Sequence, residues 1–210
     1  CAHMRKALDY EFCRQVSDKN PLVADPLRRS DCSLISDGAA ALVLTGTETA
    51  LRTASKAVHF RAAEQVNDYL PLSLKSATVF EGAARAWSAA RTAAGVTNED
   101  LSFVETHDCF TIAELIEYEA MGLAEPGEGA RVIDEGISAR DGRLPVNPSG
   151  GLKSKGHPIG ATGVSQHVMA AMQLCGDASE MQLDAPQLAG VFNMGGAAVA
   201  NYVSILERLR

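Results

Sequence analysis

Residues 101–123 read LSFVETHDCFTIAELIEYEAMGL, and the order of patterns within them decides the fold. Residues 101–107 carry the branched and aromatic side chains of a short strand. Residues 111–122 place Ile112, Leu115, Ile116 and Ala120 on one helical face, with Gly122 as a stop. Strand, short loop and helix therefore follow one another, and the loop sets His107, Asp108 and Cys109 side by side. If residues 107–109 stay extended, His107 and Cys109 point to one side and Asp108 to the other. Cys109 is then open to three readings: nucleophile, metal ligand, or buried small apolar side chain. A thiol just ahead of a helix feels the positive end of the dipole, and a neighbouring protonated histidine would lower its pKa further, so thiolate chemistry is available to it. Burial as filler is the plainer alternative, with His107 a satisfied loop donor.

The pattern extends in both directions. Upstream, residues 80–101 place Ala83, Ala84, Trp87, Ala90 and Ala94 at helical spacing with Gly95 where a C-cap glycine belongs. Residues 57–66, AVHFRAAEQV, read as a strand with Val58 and Phe60 on one face, and the apolar run 39–44 in SDGAAALVLTG reads as a strand buried on both faces. Residues 1–30, with Pro21 and Pro26, read as irregular chain with short helical turns. Downstream, residues 124–163 hold nine of the eighteen glycines and four prolines, too many for regular structure and too long for an idle connection. That loop feeds a helix with Val164, Val168, Met169 and Met172 as its apolar face, and residues 188–209 close the chain as two strands around Gly195 and Gly196. Strands alternating with helices indicate an α/β layered fold.

A 210-residue chain with 46% hydrophobic residues can bury a full core, and only 5% aromatics must be packed into it. A net charge of −7, with no Lys/Arg cluster beyond Arg28 and Arg29, argues against nucleic acid or an anionic membrane as partner. No apolar run approaches the roughly 18 residues of a membrane span, and no signal-peptide core is present. Five cysteines at scattered spacings form no disulfide framework, which points to a reducing compartment; the final LERLR is not a peroxisomal address, so the cytoplasm is the expected location.

Two further stretches can carry chemistry. In GHPIGATG, residues 156–163, His157 stands between glycines on a loop that ends in a helix; the same glycines could simply make turns. No Gly-Lys-Ser/Thr follows at the spacing of a Walker loop, which excludes that loop, and the dinucleotide fingerprint is absent too, which argues against nucleotide cradling. In NMGGAAV, residues 193–199, the paired glycines allow a backbone N–H to approach a ligand, and N–H groups aimed at a developing oxyanion are a large catalytic contribution; a plain hairpin turn is the alternative. His107, Cys109, His157 and Cys175 match no zinc module in their separations, so no metal is expected.

Taken in order, SDGAAALVL at 36–44, ETHDCF at 105–110, NPSGGLKSKGHPIGATG at 147–163 and NMGGAA at 193–198 resemble the thiolase superfamily, in the sterol-carrier-protein type whose second signature reads His-Asp-Cys-Phe in place of Asn-Glu-Ala-Phe. The resemblance implies a thiolase-like layered α/β fold with a mixed five-stranded sheet between helices. Residues 1–48 would correspond to a remnant of the loop region and the last strand of the N-terminal domain, and residues 49–210 to the C-terminal domain. It also implies an acyltransferase that condenses two acyl-CoA molecules or cleaves a 3-oxoacyl-CoA with coenzyme A. Coenzyme A and acyl-CoA would be substrates, no cofactor would be held covalently, and the enzyme would be a homodimer or higher homo-oligomer of lipid metabolism.

Residue by residue, His157 resembles the histidine that activates the nucleophile and helps bind a thioester oxygen, and Cys109 the acid/base cysteine. His107 takes the place of the asparagine that organises the first oxyanion hole, Gly195 that of the glycine whose N–H serves the second, and Ser33 that of a pantetheine contact. Asn193 stands where commoner thiolases carry a cysteine, which leaves acid/base duty to Cys109. The family's nucleophilic cysteine belongs to the N-terminal half; Cys1 lacks its flanking residues, so a separate chain or segment is expected to supply it. The competing expectations are a non-thiolytic subunit, such as a retro-aldolase or condensing component working with an OB-fold partner that binds acyl-CoA, and a silent binding domain. Intact HDCF and GHP favour the thiolase.

Overall fold

The computed structural model describes residues 5–210; Cys1 lies outside them. In chain order the elements are α1 (Tyr10–Arg14), β1 (Leu22–Ala24), β2 (Leu27–Arg28), α2 (Thr47–Thr53), β3 (Val58–Asn67), α3 (Glu81–Ala94), β4 (Phe103–Glu105), α4 (Thr111–Ala120), α5 (Arg131–Asp134), α6 (Gly151–Lys155), α7 (Thr162–Leu174), β5 (Leu188–Gly195) and β6 (Ala200–Arg208). Both helix stops fall where the glycines stand: Gly95 follows α3 with φ 65° and Gly122 follows α4 with φ 74°. None of the described helices is long and apolar enough to cross a membrane.

The main sheet runs in the order β3-β6-β5-β4, with β4 parallel to β5 and the other pairs antiparallel. Alternation at period two divides its side chains between two faces. Val104, Phe192, Val203 and Ile205 pack with Ala83, Trp87 and Ala90 of α3 and with Tyr118 and Met121 beside α4. Phe103, Ala189, Val191 and Leu206 pack with Ala170 and Leu174 of α7 on the other face. A bulge at residue 61 lets β3 change sides: Phe60 lies against His167 of α7 at a centroid distance of 5.6 Å, whereas Ala62 joins the α3 cluster. Trp87 anchors its layer, stacked on Phe192 at 5.8 Å with its Nε1–H donated to Asn98 Oδ1 at 3.0 Å. Burying each such aromatic stabilises the fold by about 1.5–3 kcal/mol.

Four expectations need correction. The sheet has four strands among the described residues, not five. Residues 145–147 lie beside β4 but pair with it only at Val146, because Pro145 has no N–H to continue a ladder. The run 39–44 forms no strand: it lines a cavity with Val58, His59 and Phe60 of the edge strand β3 but does not pair with it, and Leu42, Val43 and Leu44 are 38%, 97% and 74% exposed. The Gly-rich stretch 124–163 is not wholly irregular, since α5 and α6 form inside it. Finally, two apolar faces point elsewhere than expected. Ile112 overhangs a cleft while Ala113 and Ile116 are buried, and α7 meets the sheet through Ala170 and Leu174 because Val168 and Met169 face the segment 34–41.

Candidate active site

The parallel register of β4 and β5 builds the site. Glu105 pairs with Val191, so two residues further along each strand His107 and Asn193 come side by side at the carboxyl ends. His107 Nδ1 meets Asn193 Oδ1 at 2.6 Å. The chain after β4 is then held from three directions. Thr106 N–H donates to Asn147 Oδ1 at 2.8 Å, and the Thr106 hydroxyl and the His107 N–H, at 3.2 Å, both donate to Glu117 Oε2. Asp108 turns away, as extended chain requires, and accepts the Leu152 and Lys153 N–H groups at 2.6 and 3.2 Å, capping α6. Gly151 makes that approach possible: at φ 59°, a Cβ there would sit 2.3 Å from the Asp108 carboxylate.

His107 and Cys109 thus face the same way. Together with Phe80, Phe110, Ile112, Ala113, Ile116, Met194 and Gly195–Ala197 they line one cleft of about 380 Å³. The hairpin between β5 and β6 forms its far wall, with Gly196, Ala197 and Ala198 in succession at φ 60°, 54° and 60°. A Cβ on Gly195 would meet no atom within 4 Å, so the space over its backbone belongs to the cleft.

His157 lies on the connection between α6 and α7. Its backbone N–H donates to Ser36 Oγ at 3.2 Å, its Nδ1 meets Thr162 Oγ1 at 2.7 Å, and its ring meets His107 edge to face, centroids 5.0 Å apart. The segment 30–36 borders the site through its backbone. Ser33 N–H donates to Cys109 O at 2.8 Å, Cys32 bridges Phe110, Ile35 bridges His157, and the Lys153 ammonium binds the Ser30 and Cys32 carbonyls. The Ser33 residue does not itself line the cleft. Of the expected site residues, His107, Cys109 and Gly195 therefore share a cavity, His157 adjoins it through His107, and Ser33 touches it from behind.

The electrostatics differ from a thiolate site. Burial, followed by the charges of Glu117 and Asp108, pushes the Cys109 thiol up to about 12, against the lowering expected from a helix end and a histidinium. Burial and then His157 hold His107 down to about 4, so no imidazolium stands beside the sulfur near neutral pH. Cys109 in this state is a protonated acid. Behind it lie carboxyls that burial raises: Glu105 and Glu114 to about 7, Glu117 and Asp108 upward. Among the described residues no group of three or more His, Cys, Asp or Glu could hold a metal ion.

Sequence reasoning passed over Glu117, Asn147 and Thr162. Glu117 left a signal, an acid inside the apolar stripe of α4 beside Ala113 and Ile116. Asn147 left a fainter one, an asparagine before proline at a turn, where it adopts φ 52°.

The family described as thiolase C-terminal domain-like matches residues 63–208. An acetyl-CoA acetyltransferase of Methanothermobacter thermautotrophicus is 39% identical over 188 residues, covering 89% of this chain and 49% of that protein. Sterol carrier protein 2 of Homo sapiens is 40% identical over 185 residues, covering 84% of this chain and 34% of that protein. The chain thus spans about half the length of the first relative and a third of the second. A solved chain of an Ltp2-ChsH2(DUF35) aldolase superposes with TM-score 0.78 over 96% of this chain and 53% of its own, at 20% identity, a likeness of fold alone.

Proposed function

The chain belongs to the thiolase family through its C-terminal domain, and from that premise we propose that it serves an acyl-CoA thiolase, which condenses two acyl-CoA molecules or cleaves a 3-oxoacyl-CoA with coenzyme A. The observation that carries this reading is the single cleft lined by His107, Cys109 and Gly195, with the His157 ring 5.0 Å from that of His107.

Cys109 acts as acid and base at the α-carbon. In cleavage its thiol, held protonated by burial, delivers the proton to the departing enolate; in condensation the thiolate removes that proton from the acyl-CoA methyl or methylene. Gly195 offers backbone close to the thioester oxygen, and His157 serves the nucleophile that carries the acyl group. Among the described residues Cys109 is the one cysteine in the cleft wall, and in this reading the acyl-carrying cysteine is supplied by a separate segment or chain that completes the site. Coenzyme A enters as substrate, and no resident cofactor takes part.

Thiolysis of acetoacetyl-CoA and exchange of acyl groups between acetyl-CoA and coenzyme A, measured side by side in the complete enzyme, test the reading. Cys109→Ala is expected to reduce condensation and thiolysis at least 100-fold, while acyl exchange through the nucleophile stays measurable. Equal loss of both would refute the acid/base role. Carbon–carbon cleavage that releases a free carbonyl product without consuming coenzyme A would replace thiolase with a retro-aldolase.

A further inference from the structure

Glu117 is fully buried on α4 and reaches back to the loop that precedes its own helix. Its Oε2 accepts the His107 N–H at 3.2 Å and is bonded to the Thr106 hydroxyl. A backbone N–H can only donate, so the carboxyl serves His107 as an acceptor whatever its charge. Thr106 and His107 lead directly into Asp108 and Cys109, and the Cys109 N–H closes the turn onto His107 O at 2.9 Å. The grip therefore fixes the stretch of backbone from which His107 and Cys109 enter the cleft.

What this carboxyl lacks is anything to balance a charge. Its second oxygen, Oε1, is buried without a hydrogen-bond partner. No ion pair among the described residues includes Glu117, and the Lys155 ammonium is drawn to Glu105 and Asp108 instead. The titratable groups that face Glu117 are Glu114 and the Tyr118 phenol on its own helix and Asp108 and Cys109 on the loop, and none of them can bring a positive charge. Burial foremost, with Glu114 and Asp108 behind it, holds the carboxyl well above its ordinary range, and the bonds from Thr106 and His107 offset only part of that.

We propose that Glu117 is a positioning residue that works as a neutral acceptor: it holds Thr106 and His107 so that Cys109 faces the cleft, and it keeps negative charge away from the place where the Cys109 thiolate forms. The inference rests on the thiolase reading and deepens it. A charged carboxyl here would oppose the thiolate that condensation needs, whereas a neutral one leaves burial as the main cost of forming it.

Alkylation of Cys109 by iodoacetamide in the complete enzyme at about pH 7, followed through the mass of the peptide that carries it, measures thiolate without any acyl-CoA. Glu117→Gln keeps an acceptor oxygen and removes the ionisable group, and its alkylation rate is expected to stay within about threefold of wild type. A rise of about tenfold or more would mean that a negative charge had been taken away, and would overturn the proposal. Glu117→Leu removes the acceptor, so the loosened turn admits water to the thiol and the alkylation rate is expected to rise at least about tenfold. In thiolysis Glu117→Leu is expected to lose at least about tenfold in kcat with KM little changed, and Glu117→Gln to stay within about threefold of wild type. Glu117→Leu behaving as wild type, or Glu117→Gln as impaired as Glu117→Leu, would overturn the proposal. Should Glu117→Leu not fold, Thr106→Val cuts the same grip from the loop side, with faster alkylation expected and an unchanged rate overturning the proposal. Absence of thiolase activity in the wild-type enzyme would sink the proposed function, while the alkylation rates would still decide the role of Glu117.

Discussion

Residues 103–107 and residues 39–44 are both short runs of strand-forming chain, yet the first is buried among partners and the second stays unpaired and mostly exposed. Phe103, Val104 and Glu105 are fully buried, hydrogen-bonded to β5 on one side and to Pro145 and Asn147 on the other. Leu42, Val43 and Leu44 pair with no strand, although they share a cavity with Val58–Phe60 of β3, and Val43 and Leu44 are largely exposed. The difference teaches that a strand is stabilised by its neighbours more than by its own side chains. An unpaired run keeps its backbone groups for water, because leaving them buried and unpartnered costs more than the apolar side chains return.

The comparison can be broken most directly at the buried end. Phe103 fills the layer between the sheet and α7 against Ala170, Leu174 and Leu206, so Phe103→Ala is expected to cost about 3–5 kcal/mol in urea unfolding. A loss below about 1 kcal/mol would show that β4 is no better anchored than the exposed run.

Glu105 tests the electrostatic side of the same region. Its carboxyl is fully buried against Ser149 and raised from an ordinary 4.5 to about 7, burial being the main cause. The folded state thus holds the proton more tightly than the unfolded state. The resulting stabilisation is complete below pH 4.5 and is lost as pH rises through 7. Glu105→Gln, which cannot ionise, is expected to match wild type at about pH 4 and to exceed it at about pH 8 by up to about 3 kcal/mol. Parallel pH–stability curves for the two proteins would sink this account.

The smallest effect is expected at the exposed end. Val43→Ser should change unfolding free energy by no more than about 0.5 kcal/mol, as for other surface substitutions away from special contacts. A larger loss in the isolated chain would mean that residues 39–44 are covered in solution, and would draw the two regions together.

Much of the fold was legible beforehand because it rests on local periodicity. The helix of residues 81–94 with its glycine stop, the strand–loop–helix at 103–120 and the closing hairpin all follow from spacing within a few residues. So does the opposite pointing of Cys109 and Asp108, a consequence of extended chain. The misplaced faces of α4 and α7 show the limit of that signal, since an apolar stripe does not reveal whether it will meet a sheet, a cleft or a crossing segment.

The sequence by itself determined the α/β alternation, the thiolase resemblance and the set His107, Cys109, His157 and Gly195. Tertiary structure alone decided that residues 39–44 remain unpaired, that Cys109 rests as a protonated thiol and that His107 meets Asn193, 86 positions away. The physical reason is the same in each case. Strand pairing, desolvation and the contact between the His107 ring and the Asn193 amide are set by groups that the fold brings in from elsewhere in the chain, and local spacing carries no record of them.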